Sequence, residues 1–319
     1  MRFLVTGGAG FIGSHIVEKL IKDDHFVRVL DNFYSGKREN LRGLNIELIE
    51  GDIRDKSTCE KVCFGMDYVL HQAALRSVPK SMLDPESYNV VNIGGILNML
   101  QAATKAKVKR FVFASSSSVY GDTDKFPERE DAYPLLISPY ALSKLAGEYY
   151  CRIFSTAFNL ETVCLRYFNV FGPKQALDDE YAVVIPKFIH CILNDEPPPI
   201  FGNGKQSRDF TYVDNVVQAN ILAATVEKGL SPKGTVPAFH EVFNVANGKD
   251  NTVLQLVDAL NKIMGKKIKP MFLPVRPGDV FRTCADISRI KKGLGYEPAI
   301  SFEAGLKKTV EWFKNGETK

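Results

Sequence analysis

The chain opens on an apolar strand-like run, "RFLVTG", that leads through "GAGFIG" into a helical period, and this start restricts the fold more than any other feature. Gly7, Gly10 and Gly13 are spaced three apart, and Gly8, Gly10 and Gly13 also fit G-x-G-x-x-G. Glycine is required where the backbone turns tightly and must approach a pyrophosphate with no Cβ in the way. The helix after this loop, expected from about Ser14 to Asp23, offers its free N–H groups and the positive end of its dipole to that anion. Asp31 falls at the end of the second strand-like run, "FVRVLDN", where an acid binds a ribose diol and repels a 2′-phosphate. The opening therefore predicts a dinucleotide site that favours NAD over NADP. "GDIRD" places Asp52 and Ile53 at the end of the third strand, beside the adenine.

Further strands are expected at "IELIEGD", "DYVLHQAA", "RFVFASSSS" and "ETVCLRYFNVFG", with helical stretches such as "NVVNIGGILNMLQAATKA" between them. Apolar strands alternating with helices predict βαβ units and a parallel sheet covered on both faces. The fold class is thus α/β, a Rossmann-type doubly wound parallel sheet with a smaller α/β C-terminal substrate lobe. Residues 1–170 form the dinucleotide-binding domain, and residues 171–319 are mainly the lobe. "FTYVD" and "EVFNVA", between residues 208 and 246, are expected to return to the main sheet.

Bulk composition removes several classes. With 45% hydrophobic and 24% charged residues and a net charge of +4, the 319-residue chain is of ordinary globular type and has no basic run suited to nucleic acid. No stretch approaches the roughly 20 apolar residues a membrane span needs. The six cysteines carry no C-x-x-C pair and read as buried thiols of a cytoplasmic protein, and no metal set is apparent.

"SPYALSKLAGEYY" places a tyrosine and a lysine four apart, which reads either as a surface i,i+4 pair or as a catalytic one. Ser138 is an N-cap and Pro139 the first helical residue, so Tyr140 and Lys144 stack on one helix face. A neighbouring cation favours the phenolate, which brings a tyrosine closer to the range of a useful base.

"TGGAGFIG", "HQAA", "SSSSVYG", "SPYALSK", "RYFNVFGP" and "SRDFTYVDNV" together resemble the extended short-chain dehydrogenases that act on nucleotide sugars, from Met1 to about Trp312. The resemblance implies NAD in the Rossmann domain and a nucleoside diphosphate sugar in the lobe. It makes Tyr140 the base, with Lys144 on the nicotinamide ribose and Ser116 bonded to the sugar hydroxyl. Cofactor contacts are then expected from Gly7, Gly10, Phe11, Ile12, Gly13, Asp31, Asn32, Asp52, Ile53, Gln72, Ala73, Ala74, Tyr140, Lys144, Tyr167 and Asn169. In related enzymes two helices, here near 89–106 and 138–157, form a bundle between subunits, so the resemblance also implies a homodimer.

Family branches share oxidation at carbon 4 of the sugar and differ in the step after it. The 4,6-dehydratases carry Asp and Glu where this chain has Ser117 and Ser118, and two hydroxyls do not perform that acid–base work at neutral pH. The glutamate of decarboxylases is absent as well. Epimerisation remains. On the substrate side, Arg208 and Arg276 match arginines that grip the pyrophosphate, with Lys187 and Asp279 lining the uridine diphosphate pocket. Thr283 stands where glucose-specific epimerases carry a bulky tyrosine, and the loop from Ser77 to Pro85 looks like that of UDP-N-acetylglucosamine 4-epimerases. Arg76 replaces a glycine usual in the hexosamine enzymes and keeps UDP-glucuronate as the alternative, though Asn169 replaces the threonine usual in glucuronate 4-epimerases. A non-catalytic dinucleotide-binding scaffold of this fold is the other alternative; such proteins generally lose the Tyr or the Lys.

Overall fold

Strand β1 (Arg2–Thr6) lies inside a seven-stranded parallel sheet in the computed structural model, which describes residues 1–177, 184–227, 239–275 and 280–316. The other strands are β2 (Phe26–Asp31), β3 (Glu47–Glu50), β4 (Tyr68–His71), β5 (Arg110–Ser116), β6 (Glu161–Tyr167) and a last strand, His240–Val245. From edge to edge they run His240–Val245, β6, β5, β4, β1, β2, β3. The order reverses between β1 and β4, the switch point at which such sheets open a crevice beyond their carboxyl ends. β5 has six consecutive buried residues, as a strand covered on both faces should.

The two faces carry separate cores. On one side helices Phe11–Lys22 and Val213–Thr225 pack Ile16, Val17, Val216 and Ala219 against Val5, Val112 and Leu165. On the other, helices Lys56–Cys63, Gly95–Lys105 and Pro139–Phe158 pack Cys59, Met99 and Phe154 against Leu4, Val69 and Phe111. A third core, with Phe171, Phe188, Phe210, Leu256, Phe302 and Leu306, lies among the C-terminal helices Val184–Leu193, Val253–Met264 and Phe302–Lys314.

Three expectations need adjustment. The first helix begins at Phe11, three residues before Ser14, because Gly10 serves as its N-cap. The helical stretch from Asn89 opens as a π-helical segment, Asn89–Gly94, and only then becomes α-helical. "EVFNVA" pairs with β6 in the main sheet, but Thr211–Tyr212 of "FTYVD" pairs instead with Val170–Phe171 in a separate two-stranded ladder. The six cysteines are all buried free thiols. Among the described residues no helix is long and apolar enough to cross a membrane.

Candidate active site

Parallel strands deliver their C-terminal residues to one edge, and the sequence-predicted residues gather there. Thr6, Leu30 and His71 are in register across β1, β2 and β4, and Ser116 is in register with Tyr167. Gly7, Asp31, Gln72, Ser116 and Tyr167 therefore share one rim of the sheet.

The first loop is a backbone cradle. A Cβ at Gly13 would stand 2.1 Å from the Gly7 carbonyl oxygen, and one at Gly8 2.7 Å from Val29. Gly7 adopts φ +67° with Ala73 against it, which any side chain would resist. Gly10 caps the helix with no side-chain bond, so the first N–H groups, including those of Phe11 and Ile12, lack a capping partner. That combination fits a pyrophosphate. Asp31 is buried, and its carboxylate accepts from the Ala9 N–H at 2.9 Å and the Phe33 N–H at 2.8 Å. Two of a carboxylate's roughly four acceptor positions are thereby used, leaving acceptors for a ribose diol. These residues fit NAD.

The two adenine-side candidates differ in their settings. Asp52 accepts from Asn32 Nδ2 at 2.8 Å and from the Arg54 guanidinium, which holds its carboxyl down to about 2. Ile53 turns inward: its side chain packs on Gly95 in the core, and its carbonyl accepts from Asn98.

Tyr140 and Lys144 lie on one face of Pro139–Phe158, whose start Ser138 caps by accepting from the Ala141 N–H. Lys144 Nζ donates to the Ala114 carbonyl at 2.8 Å and lies 5.8 Å from the Tyr140 ring centre. Burial holds the lysine down to about 8, so at neutral pH it remains mostly charged. Beside it, burial also keeps His71 neutral, at about 3, with its Nδ1 bonded to the Thr6 hydroxyl. The expected depression of the phenol is not the dominant effect here. Burial pushes Tyr140 up, opposed by its hydrogen bond with Ser116 and by the Arg76 charge. The Lys144 ammonium keeps its charge while donating to the Ala114 carbonyl, and it remains 5.8 Å from the Tyr140 ring centre.

Several positioning contacts lie outside the motifs. Tyr88 meets Tyr140 edge-on at 6.3 Å, and its hydroxyl sits 2.5 and 2.9 Å from the carbonyls of Arg76 and Ser77. Asn92, in the π-helical segment, bonds both backbone groups of Leu75 and reaches Ser143. Together they hold Ser77 at φ +101°, a conformation a non-glycine residue keeps only under constraint. Beneath the site Glu148 accepts from Ser115 and makes a bidentate pair with Arg166, all three buried. Tyr167 is placed at the rim, but its hydroxyl is locked to Gln72 and Asn220. No local signal in the sequence marks Tyr88, Asn92, Glu148 or Asn220 for these contacts.

On the lobe side the chain leaves β6 through Asn169, at φ +35°. Asn169 Nδ2 donates to Thr283 Oγ1 at 2.9 Å, so these two substrate candidates touch. Arg208 Nη1 donates to the carbonyls of Ser207 and Phe281, placing it next to the same segment. Buried Glu128 and Asp209 brace it, and burial pushes their carboxyls up to about 8 and about 7. Ser117 and Ser118 form a single 3₁₀ turn with Tyr120, and Ser118 N donates to Ser116 Oγ. Lys187 lies half-buried on Val184–Leu193. Arg276 and Asp279 lie outside the described residues.

A dinucleotide cradle joined to a Tyr/Lys/Ser set defines a nicotinamide-dependent enzyme of the Rossmann class. Residues 3–246 match the NAD dependent epimerase/dehydratase family, and the chain belongs to that family, whose cofactor is NAD. The chain is 38% identical over 314 residues to a putative UDP-glucose 4-epimerase of Methanocaldococcus jannaschii, with 98% of each covered. It superposes with TM-score 0.92 on the UDP-N-acetylglucosamine 4-epimerase of Methanobrevibacter ruminantium, solved with UDP-N-acetylmuramic acid, at 42% identity and 99% and 98% coverage. A UDP-glucose 4-epimerase of Thermotoga maritima with UDP-glucose gives TM-score 0.91, 40% identity and coverage of 99% and 100%.

Proposed function

We propose that this enzyme is a UDP-sugar 4-epimerase whose preferred pair is UDP-N-acetylglucosamine and UDP-N-acetylgalactosamine. The observation that carries the reaction is the gathering of Tyr140, Lys144 and Ser116 with serine, not acid, at positions 117 and 118. NAD, when bound, would supply the acceptor and donor for the hydride of carbon 4. Tyr140 takes the proton of the 4-hydroxyl and later gives it back. Ser116 bonds that hydroxyl, and Lys144 stabilises the phenolate and holds the ribose. No group stands at 117 or 118 to remove a proton from carbon 5, so the 4-keto sugar is reduced from its other face rather than dehydrated.

Residues 1–170, with His240–Val245, carry the cofactor in this reading, and the sugar nucleotide lies against 171–319, with Arg208, Arg276, Lys187 and Asp279 toward its diphosphate and uridine. Thr283 supports the acetylated pair because a small, half-buried side chain beside Asn169 leaves room at carbon 2 of the sugar. The relatives named for UDP-N-acetylglucosamine and for UDP-glucose fit the chain almost equally well. A homodimer is also proposed: Leu142, Tyr149 and Ile153 form an exposed apolar stripe on Pro139–Phe158, next to exposed Met82, Leu83 and Val90.

One preparation tests this reading. Loaded with NAD, the protein should show its highest kcat/KM with UDP-N-acetylglucosamine. UDP-glucose should be poorer by roughly 1–3 kcal/mol in transition-state binding, since the missing acetamido group leaves a void rather than a clash. UDP-glucuronate should be poorest, NADP should substitute weakly, and light scattering should give the dimer mass. A preference for UDP-glucuronate would assign Arg76 to a carboxylate and overturn the choice of sugar.

A further inference from the structure

Thr283 does more in this structure than remain small. Its hydroxyl oxygen accepts from Asn169 Nδ2 at 2.9 Å and from the Asp209 N–H at 3.4 Å. The same Nδ2 points to the Asp209 carbonyl at 3.5 Å. Threonine's backbone is equally fixed, because its N–H donates to the Ser207 carbonyl at 3.1 Å. The next two amides are held by buried carboxylates, Cys284 N on Glu128 at 2.7 Å and Ala285 N on Asp209 at 3.3 Å. Asn169 itself is pinned at φ +35° with its carbonyl accepting from Thr211. An amide whose NH₂ is taken up by two oxygens is left to present its Oδ1, which only accepts.

We propose that Thr283 is a positioning residue that turns the Asn169 amide so that Oδ1 accepts a hydrogen bond from a donor on the sugar, a hydroxyl or an acetamido N–H. A diphosphate offers oxygens that only accept, so Oδ1 does not serve it. This rests on reading the cleft as a UDP-sugar site. It gives Asn169 a contact with the sugar itself, and gives Thr283 a role that valine, of equal bulk, cannot fill.

The test uses the full chain loaded with NAD, and Thr283→Val, Thr283→Ser and Asn169→Ala variants. Calorimetry gives Kd for UDP, UDP-glucose and UDP-N-acetylglucosamine; NAD content and the melting curve report folding. Thr283→Val should bind both sugar nucleotides about tenfold more weakly, the scale of a polar group left without its partner. It should bind UDP as the wild type does, and raise KM more than it lowers kcat. Thr283→Ser should restore wild-type affinity, and adding Thr283→Val to Asn169→Ala should cost nothing further. Equal weakening toward UDP, unchanged affinity for the sugar nucleotides, or failure of serine to rescue would each overturn the proposal. If the wild type binds UDP-sugars no better than UDP, the proposal falls; if it binds neither, the reading of the cleft falls with it.

Discussion

Tyr140→Phe should fold, carry NAD and bind UDP-sugar, yet interconvert the sugars about two to four orders of magnitude more slowly, the usual worth of a positioned general base. The substitution removes one oxygen and keeps the ring. Its edge-on contact with Tyr88 and the cap at Ser138 do not depend on the hydroxyl. Lost are the hydrogen bond with Ser116 and the atom that takes the 4-hydroxyl proton. Because burial holds the phenol above its ordinary range and Lys144 near 8, the ligand-free enzyme at pH 7 has a protonated tyrosine beside a charged lysine. Activity should therefore rise with pH through neutral, as the phenol becomes easier to deprotonate, until Lys144 loses its proton near 8, and the rise should vanish in Tyr140→Phe. Ser116→Ala should be milder, since a bond to the hydroxyl is lost but the base remains. Steady-state rates with the variant near those of wild type would remove Tyr140 from the chemistry.

Glu148→Ala should be among the most damaging substitutions for stability outside the glycine loop. The carboxylate and the Arg166 guanidinium are each 5% exposed and joined by bonds of 2.8 and 2.7 Å. Removing one partner strands the other charge in the interior, which costs about 3–5 kcal/mol. Arg166 also donates to the Tyr120 hydroxyl, which in turn bonds Asn244 of the strand His240–Val245. The loss should therefore spread from the helix Pro139–Phe158 across β5 and β6. Chemical denaturation should show a midpoint lowered accordingly. Glu148→Leu with Arg166→Met, which removes both charges, should recover most of the loss. A cost below about 1 kcal/mol for Glu148→Ala would mean that the pair does not hold these elements together.

The parts legible in the sequence are those written locally. Gly13 answers a steric demand within the loop itself, where Gly7 and Gly8 leave no room for a Cβ, and Tyr140 and Lys144 are neighbours by helical periodicity alone. The six strands of the first half arise from short apolar runs between helical periods. The features hidden from the sequence depend on partners far apart in the chain. Gln72, Tyr167 and Asn220 close a hydrogen-bonded triangle across three separate segments, and nothing in "RYFN" indicates that the Tyr167 hydroxyl is already spoken for. Ile53 looks like a rim residue by its place after β3, yet the absent side chain of Gly95 opens the space that draws it inward. The setting of Lys144 is likewise not local: its ammonium donates to the Ala114 carbonyl of β5, a partner that nothing in "SPYALSK" indicates.

Inversion at carbon 4 without net oxidation is the central claim, and the most direct measurement tracks a label through it. UDP-N-acetylglucosamine deuterated at carbon 4 is incubated with the NAD-loaded protein, and the products are read by NMR with absorbance near 340 nm. The account predicts the carbon-4 epimer with deuterium still on carbon 4, approaching equilibrium while reduced cofactor does not accumulate. A 4-keto-6-deoxy product, one equivalent of reduced cofactor per sugar consumed, or label lost to solvent would contradict it.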